Sequence, residues 1–367
     1  MLDRLAERLR EEDFSLKVIY DPNENDGPGY ALRPYCYPTI RVKDSKFLNL
    51  FGIECSRMLG LLEAIRAHRP AAVIVDGTPR FLTNLRVPAV TRAGGGVPLL
   101  WSKGHTEEGT TDRYLTDLLR SRFAKLYDGV ICYGQAGMHD LERIGVPAET
   151  ITIAQNTIDT DRIFDELGER DTKMREIKRK YGLEGHRIVL YCSTMYPKKR
   201  HLDLIEAWPM IHAAHPEAVL VMVGGGPMYE AVRARAREVG DKEIRILGRV
   251  PEGEDYSWIG AADVSVMCGG LGLAIQQSMA FGRPMVVADE PGVDGEVVRH
   301  GETGWRYPRG DLAALANTVN AVLADIEGAD AVAVRGQALV RDHVNINGMV
   351  NGFMTALEKA HVFTETR

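Results

Sequence analysis

The sequence predicts an α/β chain of two doubly wound, Rossmann-like domains facing each other across a cleft, and three observations carry that expectation. Short apolar runs of strand length alternate with helix-patterned segments, as in a parallel sheet covered by helices. The alternation stops at a charged segment, Asp159 to Lys180, the candidate join between the domains, and restarts at Arg187, so it runs twice. In the second run, strand-like Asp263-Val-Ser-Val leads into a turn with three glycines in four positions, Gly269, Gly270 and Gly272, and then into helix-patterned Leu273 to Phe281. Such a turn lets backbone pass close to a ligand and offers amides to an anion. Glycine-rich turns are common, so this one draws its meaning from the residues around it.

At 367 residues the chain suits two cores, with expected boundaries of 1–160 and 161–344 and a last helix, about 345–367, packing back on the first domain. Forty-five basic against 51 acidic side chains leave a formal charge of -6, which argues against nucleic acid as the main partner. The five cysteines are scattered, odd in number and free of metal-ligand spacing, the pattern of reduced thiols in a cytoplasmic protein. The amino terminus is charged and helix-patterned rather than signal-like, and no run approaches the ~18 apolar residues of a membrane span.

In chain order, Leu16 to Tyr20 reads as a strand followed by a loop dense in turn formers, Asp21 to Tyr30, which contains Gly29. This loop is either a ligand loop at a strand's carboxyl end or a plain surface loop. Ser45 to His68 carries Leu48, Leu50, Met58, Leu61, Leu62 and Ile65 at roughly helical spacing, and Ala71 to Val75 is the next strand, breaking at Asp76-Gly-Thr-Pro-Arg80. Arg80 to Ala93 reads as helix, Val97 to Trp101 as strand, and Ser102-Lys-Gly-His105 as loop. The helix expected over Thr110 to Tyr127 shows Arg113, Arg120, Arg122 and Lys125 on a basic face, a solvated surface in the ordinary reading and a peripheral lipid contact in the functional one. Gly129 to Tyr133 and Ile151 to Ala154 complete the first set of strands. The second set is Arg187 to Cys192, Ala218 to Val223, Ile244 to Leu247, Asp263 to Met267 and Arg283 to Ala288.

The second half resembles the donor domain of retaining glycosyltransferases of family 4, which have the GT-B architecture. The matching pieces stand in the family's order: Pro197-Lys-Lys-Arg-His-Leu-Asp-Leu-Ile-Glu-Ala-Trp, Val223-Gly-Gly-Gly-Pro, Leu247-Gly-Arg-Val, Leu271-Gly-Leu, Ser278-Met-Ala-Phe-Gly-Arg-Pro and His300-Gly-Glu-Thr-Gly-Trp. The resemblance implies transfer of a sugar from a UDP- or GDP-linked donor to an acceptor, without a cofactor or bound metal. It assigns Lys199, helped by Arg200, to the leaving diphosphate. It gives the amides around Gly270, Leu271, Gly272 and Leu273 to the diphosphate and sugar, Arg249 and Val250 to the base pocket, and His105 to the donor sugar. Gly29, Asp76 and Arg80 are its weaker acceptor-side candidates. The family commonly carries two glutamates eight residues apart, for the sugar and the ribose, where this sequence has Gly269 and Gln277. Thr194 stands where an arginine is frequent. A subgroup similar to capsular and exopolysaccharide enzymes shares such departures.

The chemistry fits those residue types. Breaking a bond to a nucleoside diphosphate leaves charge on phosphate oxygens and oxocarbenium character on the sugar, which fixed donors aimed at the leaving group stabilise. Each residue also has a structural reading: Lys199 as a solvated helix-start lysine, His105 as a hydrogen-bonded loop histidine, Gln277 as a solvent-facing glutamine, and Gly224 to Gly226 as a tight turn. Gly269 and Gln277 motivate a competing function, a catalytically inactive nucleotide-sugar-binding protein. An oxidoreductase ranks last, because no Gly-x-Gly-x-x-Gly follows the first strand.

Overall fold

The computed structural model describes residues 1–20, 36–50, 53–78, 81–104, 113–240, 243–251, 253–290 and 296–363. It divides into two compact units, Met1–Asn156 with Asn347–Arg367, and Thr157–Ile346. The chain therefore passes between units at Asn156/Thr157 and returns at Ile346/Asn347.

The first unit opens with a helix, Leu2–Glu11, that buries Leu5, Ala6 and Leu9 on one face. Strands β1 (Val18–Tyr20) and β2 (Thr39–Arg41) pair in parallel. The helix expected over 45–68 is a correction. Strands β3 (Lys43–Leu50) and β4 (Ile53–Leu59) form an antiparallel hairpin there, setting Phe47 opposite Ser56 and Leu48 opposite Cys55, and only Leu61–His68 is helical. Leu48 and Leu50 stand two residues apart, which is strand period, and Gly60, at φ 89°, breaks the strand before the helix begins.

Strands β5 (Ala72–Asp76), β6 (Val97–Ser102), β7 (Gly129–Cys132) and β8 (Ile151–Ile153) form a parallel sheet in that order. The segment read as one helix from Arg80 divides into a 3-10 turn, Leu82–Leu85, and a helix, Val87–Ala93. Pro88 lacks an amide proton and is best placed in a helix's first turn, and here it starts a helix rather than continuing one. On the helix Arg113–Ala124, Arg120 leaves the expected basic outer face. Its side chain is 13% exposed, pairs with Asp117 at 3.3 Å and donates to the Gly104 carbonyl, while Arg122 and Lys125 stay exposed. The carboxyl-terminal helix, Ile346–Lys359, packs Met349, Val350, Phe353 and Leu357 with Leu5, Leu9, Leu99 and Ile131, and the Phe353 ring meets Trp101 edge-on at 5.3 Å.

The second unit is built on one parallel sheet of six strands among the described residues: β9 (Arg187–Cys192), β10 (Ala218–Val223), β11 (Ile244–Gly248), β12 (Val264–Met267), β13 (Met285–Asp289) and β14 (Trp305–Pro308). Their spatial order is β11-β10-β9-β12-β13-β14, that is 3-2-1-4-5-6 within the unit. Every residue of β10 is buried, as a strand covered by helices on both faces requires, and Trp208 and Trp258 are fully buried among the covering helices. The charged segment after Asp159 is not a linker. It forms the helices Thr160–Glu166, capped by Asp159, and Arg170–Lys180, which buries Ile177. Just beyond it, Tyr181 lies 4.9 Å from Trp258. A segment dense in charge still folds when one apolar stripe per helix finds a core.

Candidate active site

Sheets of order 3-2-1-4-5-6 bind ligands where the strand order reverses, outside the carboxyl ends of the strands. In the second unit that point lies between β9 and β12, neighbours in space although β10 and β11 intervene in sequence. The two loops leaving these ends are Ser193–Arg200 and Cys268–Leu273. The sheet order thus brings together the lysine segment and the glycine turn, some seventy residues apart in the chain.

The first loop is shaped by a 3-10 turn, Pro197–Lys199, and by Arg200 in the left-handed region at φ 53°, after which the helix His201–Ala214 begins. The buried Tyr191 phenol donates to the Lys199 carbonyl, and burial raises its pKa well above the ordinary tyrosine value. The His201 ring lies 4.5 Å from that of Tyr191, with Nε2 3.5 Å from Ser193 Oγ. Burial, assisted by the Lys199 charge, pushes His201 down to about 4, so the imidazole is neutral near pH 7. Arg200 Nε donates to Asp203 Oδ2 at 2.7 Å.

Lys199 Nζ donates to the Gly270 carbonyl, so the ammonium joins the two loops. The glycines allow the approach. A Cβ added at Gly269 would lie 2.8 Å from the Lys198 carbonyl and 2.9 Å from Arg200 Cδ, and Gly270 sits at φ 50° against the same backbone. Gly269 is therefore fixed by close packing, and no side chain fits where the family commonly has glutamate. At Gly272 an added Cβ would meet only Lys199 Nζ, at 3.4 Å. The Leu271 amide donates to Glu290 Oε2 at 3.4 Å, and Glu290 Oε1 lies 2.8 Å from Arg309 Nε.

The other expected residues are placed unevenly. Arg249 is exposed with its stem over Gly225, where an added Cβ would come within 2.7 Å of its Cγ, and Val250 beside it is half-buried. Thr194 is exposed and its carbonyl accepts from Ser193 Oγ at 3.3 Å. Gln277 is half-buried and, in the helix Ala274–Ala280, stands one turn from its start. In the first unit, Asp76 Oδ1 accepts from the Thr78 amide at 2.8 Å and its carbonyl accepts from Asn84 Nδ2 at 2.9 Å, which gives it a turn-forming role. Gly29, Arg80 and His105 lie outside the described residues. A cavity of about 200 Å³ beside the lysine loop is lined by Tyr196, Arg200, His201, Asp203 and Met228. A larger one, about 730 Å³, lies among the helices at 160–180 and 254–257, contains none of the expected site residues, and is lined by charges paired with one another, such as Lys173–Glu166 and Lys180–Glu254.

Sequence reasoning missed Asp203, His201, Glu290 and Arg309. Two signals were available: His201 and Asp203 lie inside the motif that begins at Pro197, and Glu290 is a carboxylate placed directly after an apolar strand, at the edge where such sheets bind ligands.

This is the GT-B glycosyltransferase class of fold, and comparisons with known proteins agree. The chain resembles a glycosyltransferase from Rickettsia africae with TM-score 0.73 at 16% identity, over 100% of this chain and 96% of that one. It resembles Anabaena HepE in complex with UDP with TM-score 0.71 at 16% identity, over 88% and 86%. Family models match along the sequence, "Glycosyltransferase Family 4" over residues 1–162 and "Glycosyl transferases group 1" over residues 186–325. The chain belongs to family 4 of the glycosyltransferases. Among its relatives are GDP-mannose-dependent alpha-(1-6)-phosphatidylinositol monomannoside mannosyltransferases. That of Mycolicibacterium smegmatis is 32% identical over 51% of this chain and 50% of the relative, and that of Mycobacterium tuberculosis is 26% identical over 70% and 68%. The N-acetyl-alpha-D-glucosaminyl L-malate synthase of Bacillus anthracis is 25% identical over 59% and 55%. The match to the first of these spans half of that protein's length. No helix among the described residues is long and apolar enough to cross a membrane.

Proposed function

We propose that this protein moves a sugar from a UDP- or GDP-linked donor to a glycan, lipid-linked glycan or small-metabolite acceptor, retaining the anomeric configuration and needing no bound metal. The observation that carries the reading is the junction of Lys199 with the glycine loop at the switch point of a 3-2-1-4-5-6 sheet. A diphosphate lying there has the Lys199 ammonium, the Arg200 guanidinium and loop amides within reach, so protein cations supply the neutralisation that a metal supplies elsewhere. The protein offers no covalent nucleophile in this reading. Its work is to hold the donor and to stabilise charge on the leaving group as the glycosidic bond breaks.

The test is incubation with a panel of nucleotide sugars, GDP-mannose first because the relatives are named for it, following release of nucleoside diphosphate. Transfer with retention by proton NMR, undiminished by EDTA, is the expected result. An inverted product sinks the retaining assignment, and loss of activity in EDTA restored by magnesium sinks the metal-free one. Binding of nucleotide sugar without turnover against any acceptor favours the inactive binding protein instead.

A further inference from the structure

On the reading that the glycine loop receives a nucleoside diphosphate, we infer that Glu290 is a resident counter-anion of that loop, restrained by Arg309, and that the pair sets how tightly the site takes a diphosphate. Strand β13 lies beside β12 in the sheet, so the residue that follows β13 meets the loop that leaves β12. Glu290 is that residue. One of its oxygens accepts a hydrogen bond from the Leu271 amide and the other faces the Arg309 guanidinium. Its side chain is 10% exposed, and a carboxylate so far removed from water needs a cation and a donor beside it. Arg309 and the Leu271 amide fill those two roles.

The consequence is competition between anions. Gly269 can carry no side chain, so the loop has no acidic group at that position, and a carboxylate from the neighbouring strand occupies one of its donors instead. The Leu271 N–H cannot serve a phosphate oxygen and Glu290 fully at once, and two anions sharing it repel in a site partly shielded from water. A diphosphate entering the loop must shift the carboxylate off Leu271 or bear that repulsion. The Arg309 side chain, 36% exposed on the segment after β14, is the cation that neutralises Glu290 and holds it back.

The experiment is calorimetric titration of the full chain with UDP, GDP and the matching monophosphates. Glu290→Gln, which keeps the shape and removes the charge, should tighten diphosphate binding by roughly tenfold, the equivalent of about 1.4 kcal/mol. Monophosphate binding should change less, because it lacks the group the loop holds. Arg309→Gln should weaken diphosphate binding in the wild-type background and have no effect in the Glu290→Gln background. Unchanged or weaker diphosphate binding in Glu290→Gln overturns the inference. An Arg309 effect that survives in the double variant overturns it too, since Arg309 would then act on phosphate directly. Should Glu290→Gln fail to fold, Glu290→Ser tests the same charge. Failure of the wild-type chain to bind either diphosphate removes the transferase reading and this inference together, whereas binding that ignores Glu290 removes this inference alone.

Discussion

Among the described residues, the second unit is organised by one continuous core about a single sheet, whereas the first divides its buried residues among three smaller clusters, one of them completed by a helix from the far end of the chain. The difference teaches where precision resides. In the second unit the strand ends are fixed by a sheet buried on both faces, so groups hung from those ends meet to within hydrogen-bond distance. In the first, Asp76 spends its carboxylate on a local turn, and stability depends on Phe353 and its neighbours reaching back to Leu99 and Trp101.

Four substitutions probe this contrast, from the largest effect to the smallest. Phe353→Ala removes a fully buried ring from the small cluster and should cost about 3–5 kcal/mol, lowering the melting of the first unit while the second keeps its own transition. One unshifted transition by calorimetry would break the proposed difference between the units.

His201 should give the second unit a pH dependence. The unfolded chain takes up this proton near 6.5 and the folded one only near 4, so the neutral, buried ring contributes stability that is fully present above pH 6.5 and is lost as pH falls toward 4. The loss across that window is about 3 kcal/mol, at 1.36 kcal/mol per pKa unit. His201→Gln should flatten the slope of denaturant midpoint against pH, and an unchanged slope would reassign the titration to another group.

Lys199→Ala should slow transfer by roughly 10- to 150-fold with the melting temperature little changed, since a charge-assisted hydrogen bond is worth about 1.5–3 kcal/mol. Loss of Arg200 as well should cost more than either change alone. Wild-type kinetics in that double variant would take the diphosphate role away from this loop. The smallest effect is expected of Gln277→Ala, a rise of roughly 3- to 10-fold in the donor Michaelis constant for one neutral hydrogen bond of about 0.5–1.5 kcal/mol. Donor affinity equal to wild type would show that Gln277 faces away from the ribose.

The second sheet was legible because parallel strands buried on both faces are written as continuous apolar runs, of which Ala218 to Val223 is the plainest. The hairpin at 43–59 was not, because its leucines also fit a loose helical spacing and only pairing with a partner strand decides between the periods. The charged helices after Asp159 were misread as a join for a related reason: their burial rests on a few positions such as Ile163 and Ile177, and charge elsewhere outweighs them in the sequence.

The sequence by itself determined the alternating α/β class, the motif around Lys199, the three glycines and hence the family, since each is a local pattern of residue types. The tertiary structure alone decided which distant groups meet there. Lys199 reaches Gly270 because β9 and β12 are neighbours, Gly269 stays a glycine because the Lys198 carbonyl and the Arg200 side chain press on it, and Glu290 faces Leu271 because β13 lies next to β12. Strand order is a long-range choice, made by how the whole core packs, and local residue patterns do not record it.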